Sequence, residues 1–189
     1  TAFLLTAFML MYGYTKTLDL SAASASIPAD VRNLMFVLFL IGFGTKAGVI
    51  PLHIWLPAAH PAAPSNVSAL MSGIMIKTAI YGIIRFVLEY LGIGSVWWGI
   101  ILLIMGIFSA VLGVAYAMIE HNIKRLLAFS SIENIGIILT GIGIAFIAFA
   151  QKNMLVGSLA LTASLFHTFN HTVFKSGLFL GAGAIQYST

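Results

Sequence analysis

The chain has 189 residues, 60% of them hydrophobic and 7% charged, with a formal net charge of +4. So few charges cannot cover a soluble domain of this length, and the cations are scattered, which excludes a nucleic-acid-binding face. There is no cysteine, hence no thiolate metal site, iron–sulfur cluster or disulfide, so no cofactor is expected in this chain and any redox centre belongs to another.

The apolar runs are continuous rather than alternating, which selects helices over a β-barrel as the spanning structure. About 20 residues cross a bilayer, and six spans fit the length. The first covers about residues 1–14. A polar linker with Lys16, Asp19, a Ser/Ala run and Pro28 follows. The second runs from about Asn33 to Trp55 and is interrupted by Pro51, which removes one backbone bond and breaks or kinks the helix. A loop with Pro57, Pro61 and Pro64 leads to the third span, about Val67 to Tyr90. The fourth, Val96 to Ile119, opens on Trp97 and Trp98 as an interfacial belt. Glu120 to Arg125 read as a polar turn, and the fifth span as Leu126 to Ala150. The sixth, about Leu155 to Ile185, exceeds a minimal span, so it is either strongly tilted or broken. Its polar stretch between His167 and Lys175 marks the expected break. Both ends read as interrupted helices, so the whole of 1–189 reads as one transmembrane domain within a longer protein. Lys124 and Arg125 favour a cytoplasmic turn, but the remaining charges offset one another and the count does not fix the topology.

Three lysines lie inside these spans. Placing a charge at the centre of a bilayer costs about 2.5–3.5 kcal/mol on insertion scales, so such residues mark ion pathways. Lys46 is about 20 Å into its span, too deep for easy snorkelling to the interface. Lys77 sits near the middle of the third span, where it either pairs structurally with a carbonyl or carboxylate or binds protons reversibly. His167, His171 and Lys175 share one helical face at intervals of four. A zinc pair there lacks a third ligand, which leaves packed core histidines or a proton relay. Glu133, the one acid inside an apolar span, either pairs with Arg125 or Lys124 or admits protons. His53, Trp55 and His60 surround the proline-rich loop, as an entry to the lysines or as loop packing.

Gly44-Thr45-Lys46-Ala47-Gly48-Val49-Ile50-Pro51-Leu52-His53-Ile54-Trp55-Leu56-Pro57, followed by Ala58-Ala59-His60-Pro61 and Val67-Ser68-Ala69-Leu70, resembles the signature of the proton-conducting antiporter-like subunits. These occur in respiratory complex I, Mrp-type sodium/proton antiporters and membrane-bound hydrogenases. The runs Asn122 to Ser131 and Phe166 to Ser176 resemble the family's tenth and eleventh helices, in the right order. Trp97-Trp98-Gly99, Glu120-His121-Asn122 and Ile132-Glu133-Asn134-Ile135-Gly136 are most similar to the hydrogenase-4 and formate hydrogenlyase branch.

The resemblance implies an all-α polytopic bundle cut from a larger antiporter-like fold, running from about its sixth to its eleventh helix. Lys46 would be the central lysine of a broken seventh helix, Lys77 would belong to the eighth, and His167, His171 and Lys175 to the eleventh. Together they would carry protons along a hydrated axis near the bilayer midplane. Complex I members often carry a histidine where this chain has Ser72, which would leave the connecting role to Lys77. The implied partners are other membrane subunits and a peripheral hydrogenase or dehydrogenase arm, in a prokaryotic inner membrane. The alternative is an Mrp-type sodium/proton antiporter subunit. A purely structural anchor would gain nothing from buried lysines.

Overall fold

Proline and glycine set the helix boundaries. In a computed structural model, residues 1–17 and 27–188 are described, and they form seven helices with no strand among them. Asp19 and most of the expected linker lie outside the described residues. Helix α1 is Ala2–Thr15, ended by Lys16 in the left-handed conformation at φ 56°. Helix α2, Ala29–Ala47, starts after Pro28 and stops where Gly48 turns left-handed at φ 74°. Its first turn absorbs Asp30 and Arg32, ahead of the expected start at Asn33. After a non-helical stretch through Pro51, α3 resumes at Trp55–Ala62. The expected break at Pro51 is therefore real, and it spans a whole segment because Gly48 terminates the helix before the proline.

Helix α4, Ser65–Tyr90, is continuous but winds as π-helix over Met71–Met75 and Ile83–Tyr90. Helix α5 is Val96–Met118, α6 is Ile123–Ala150 and α7 is Met154–Ser188. Helices α4, α5 and α6 are each long and apolar enough to cross a membrane. The other expected spans correspond to α1, to the broken α2–α3 pair and to α7.

Two expectations are corrected. The stretch from His167 to Lys175 is not a break: α7 runs through it as one helix of 35 residues. No proline or glycine lies between Ser158 and Ser176. The hydroxyls of Thr168, Thr172 and Ser176 each donate to the carbonyl four residues back, which keeps them within the helix. The polar turn is also shorter than its charges suggested. Asn122 Oδ1 accepts from the backbone N–H groups of Lys124 and Arg125, at 3.0 and 3.2 Å, and so starts α6 at Ile123. Losing a cap of this kind costs about 1 kcal/mol. Asn122→Ala should lower the unfolding free energy of the purified protein by that amount, read as an earlier unfolding midpoint at matched detergent concentration.

The apolar core joins α1, α2, α4, α5 and α6. Phe36 stacks flat on Trp98 with ring centres 4.6 Å apart, and Phe39, Phe43 and Phe86 form a second stack. Trp98 is almost fully buried, and its indole N–H donates to Asn33 Oδ1 at 2.9 Å, so the ring's one polar group is satisfied. Helix α7 lies outside this core, packed on α6 and α4. That arrangement leaves the polar face of α7 turned onto the first half of α6.

Candidate functional site: a buried lysine–histidine line

Along α6, Leu127, Ser130, Ser131 and Asn134 recur at helical spacing and form one face. The functional side chains of α4 and α7 converge on it. Lys175 is fully buried. Its ammonium donates to the Leu127 carbonyl at 3.1 Å and to the Ser130 hydroxyl. Ser131 donates to the same Leu127 carbonyl at 2.8 Å and shares a 2.8 Å hydrogen bond with Ser72 of α4. Both serines are fully buried. Lys77, also buried, donates to the Ser72 carbonyl, at the π-helical turn of α4. Such turns recur at functional sites.

On the other side of Lys175, the Ser130 carbonyl accepts from Asn134 Nδ2 at 2.7 Å, and Asn134 Oδ1 meets His167 Nε2 at 3.0 Å. With the Asn134 amide in this orientation, His167 is the donor and its Nδ1 is free of this contact. His171 lies between His167 and Lys175 on α7. Its ring is nearly parallel to that of His167, with centres 6.5 Å apart, and is fully buried with neither nitrogen hydrogen-bonded to protein. Protein groups thus connect His167 to Lys77 through Asn134, Ser130, Lys175, Leu127, Ser131 and Ser72. Lys77 and Lys175 both act electrostatically on His171, and Lys175 acts on Lys77. Two ammonium charges in so dry a setting repel each other strongly.

Glu133 is half-buried beside this line and is the acid within electrostatic reach of both Lys175 and His167. Of its two alternatives, the ion pair does not form: Arg125 meets Glu120 at 3.2 Å and Lys124 donates to the Ala63 carbonyl at 3.0 Å. Placing Arg125 on α6 itself turns it toward the α5–α6 turn, where Glu120 lies closer.

Lys46 does not join the line. It is exposed on the last turn of α2 and borders a cavity of about 680 Å³ lined by Thr1, Leu4, Gly42, Thr45 and Trp55. Trp55 bridges the helix break by donating its indole N–H to the Thr45 carbonyl at 2.7 Å. Apolar neighbours in sequence implied depth, but the side chain is exposed beside α1 and Trp55. Among the described residues no three His, Asp or Glu side chains cluster closely enough to hold a metal ion.

The fold and the line together define a multi-pass helical membrane protein built around interior titratable groups. The chain belongs to the transmembrane family described as NADH:quinone oxidoreductase/Mrp antiporter, which matches residues 1–189. It is 47% identical to Hydrogenase-4 component B of Escherichia coli strain K12, over 95% of this chain and 27% of that protein. It is 41% identical to Formate hydrogenlyase subunit 3 of the same strain, over 92% of this chain and 28% of that protein. Among solved structures, the Mrp complex from Dietzia sp. DQ12-45-1b contains a chain with TM-score 0.84 and 31% identity, covering 97% of this chain and 32% of that one. The chain therefore spans about a third or less of the relatives it matches.

Proposed function

We propose that this chain is part of a proton-translocating membrane subunit in a redox-driven complex of the hydrogenase, formate hydrogenlyase or NADH:quinone oxidoreductase type. The observation that carries the reading is the protein-connected line from His167 to Lys77 through the buried Lys175. Each titratable member can hold or release a proton, and repulsion between neighbouring cations drives the charge onward. Glu133 tempers that repulsion at the Lys175 and His167 end. Lys46 is assigned to the same path as the group met from the open groove beside α1. The redox centres lie in a peripheral arm on other chains, this chain binds no cofactor of its own, and the complex sits in a prokaryotic inner membrane.

The full-length protein in its complex, reconstituted in vesicles, should produce protonophore-sensitive pH changes on redox turnover, with or without sodium. Absence of any such change overturns the proposal. Lys46→Ala should assemble normally and translocate at least about 100-fold more slowly, the low end of what a positioned proton-transfer group contributes. Wild-type rates in that variant would remove Lys46 from the path. A second reading, an Mrp-type sodium/proton antiporter subunit, is favoured by the likeness to the Mrp complex chain. It predicts sodium-dependent transport with no hydrogenase or dehydrogenase co-purifying.

A further inference from the structure

We propose that His60 carries protons on a branch joining Lys175 to the cavity between α3 and the start of α6. The proposal rests on the proton-translocating reading above and adds a residue and a direction of access to it.

His60 is fully buried, and neither ring nitrogen has a hydrogen-bond partner in the protein. Its ring stacks on Phe179 with centres 4.5 Å apart and planes 16° from parallel. Phe179 is one turn beyond Lys175 on the same face of α7. A phenylalanine would stack equally well and would leave no dry, unpaired N–H and lone pair behind. Packing therefore accounts for the ring and not for its nitrogens.

The surroundings of the ring place it between an interior group and an opening. The charged groups facing it are Lys175 from α7 and Lys124 from α6. From α4, the Ser68 hydroxyl bonds the His60 carbonyl at 3.0 Å and leaves the imidazole untouched. Lys124 is itself buried and donates to the Ala63 carbonyl, one turn past His60, so it wraps the end of α3. Next to it, Arg125 borders a cavity of about 460 Å³ whose other walls include His53, Pro57, Pro61 and Phe129. Pro57 and Pro61 lie one turn apart on α3 and His53 precedes the helix, and all three border the cavity, while Leu56, Pro57 and His60 are buried. The branch thus runs from the cavity, round the end of α3 past Lys124, to His60 and then Lys175.

The transfer balances on the imidazole alone. A proton arriving from the cavity adds to the unprotonated ring nitrogen. The proton already on the other nitrogen then passes to the neutral amine of Lys175, which becomes an ammonium. The imidazole is left neutral in its other tautomer, and a tautomer exchange resets it. Two facing lysines make the imidazolium a short-lived carrier rather than a store.

The decisive variant is His60→Phe in the full-length protein within its complex, with Lys175→Met as the reference. Assembly, redox turnover and proton translocation in vesicles are measured on each. The expected result is normal assembly and turnover in His60→Phe, with translocation at least about tenfold lower. Translocation at the wild-type rate overturns the assignment of His60, because the stacked ring is kept and only the nitrogens are lost. If translocation is normal in His60→Phe but lost in Lys175→Met, the failure is confined to His60. If it is normal in both, protons bypass Lys175 as well as His60, whereas loss of redox-driven translocation in the wild type itself is what would overturn the underlying reading. Should His60→Phe not assemble, His60→Gln is scored by the same criteria.

Discussion

Full-length protein carrying Lys175→Met should assemble with its partners and translocate protons about 100-fold more slowly than the wild type. Lys175 is where the line divides, with the Leu127 carbonyl leading to Ser131, Ser72 and Lys77, and Ser130 leading to Asn134 and His167. Methionine nearly fills the same volume without a charge. Because both partners of Lys175 are neutral, its removal strands no buried opposite charge, and the Ser130 hydroxyl can turn back onto its own helix as Ser131 does. Stability and assembly therefore survive, and only the proton-carrying atom is removed. Lys175→Arg sharpens the test. It keeps the positive charge and the donors to Leu127 and Ser130, but a guanidinium does not release its proton in proteins. If Lys175 carries protons, both variants stop translocation. If it serves only as a fixed charge holding α6 to α7, Lys175→Arg works and the relay assignment is wrong. Native gels quantify assembly, and quenching of a pH-sensitive dye in vesicles gives the rate.

The helical class and the break at Pro51 were legible because each depends on a local rule, and Lys77, His171 and Lys175 stood out one by one for the same reason; that they lie together was implied only by the family resemblance. Proline cannot donate, and a charge inside an apolar run needs a partner. Lys46 shows the limit of that reasoning. Depth along a helix can be counted from sequence, but the exposure of a side chain depends on which neighbours pack beside it, and Lys46 lies exposed at the groove beside α1. The continuity of α7 was misread for a different reason. Polarity from His167 to Lys175 looks like a loop in lipid, whereas Thr168, Thr172 and Ser176 satisfy their hydroxyls on the helix backbone. The receiving face of α6 was missed although its signal was present: Leu127, Ser130, Ser131 and Asn134 fall at intervals of three and four. Glu133, as the lone acid, drew attention that belonged one residue on, to Asn134.

The close fit of α5 and α6 was missed too, and it carries the second large effect. Gly99, Gly106 and Gly113 recur every seven residues on α5, as do Gly136 and Gly143 on α6. The two sets face each other backbone to backbone. A Cβ on Gly136 would lie 2.4 Å from the Ala110 backbone nitrogen and 2.6 Å from the Gly106 carbonyl oxygen, and one on Gly143 would lie 2.5 Å from the Leu103 nitrogen. In lipid, such small-residue contacts drive helix pairing because apolar surface alone gives helices no preference for each other over lipid. Gly136→Leu must push the helices apart, since rigid backbone rather than a movable side chain blocks it. Overpacking by a few methylenes already costs about 1–3 kcal/mol where neighbours can shift. Here they cannot, so the full-length variant should fail to accumulate in the membrane. Gly177, which meets nothing within 4 Å in this chain, provides the control. Gly177→Leu should accumulate far better than Gly136→Leu in membranes assayed by immunoblot. Equal accumulation would mean that the α5–α6 contact is not what holds the bundle together. The consequence reaches the proton line directly, because Glu133 sits on this interface: Gly113 packs against its backbone. The same contact that fixes α5 on α6 therefore fixes the register of Glu133, and one residue later Asn134, against His167 and Lys175.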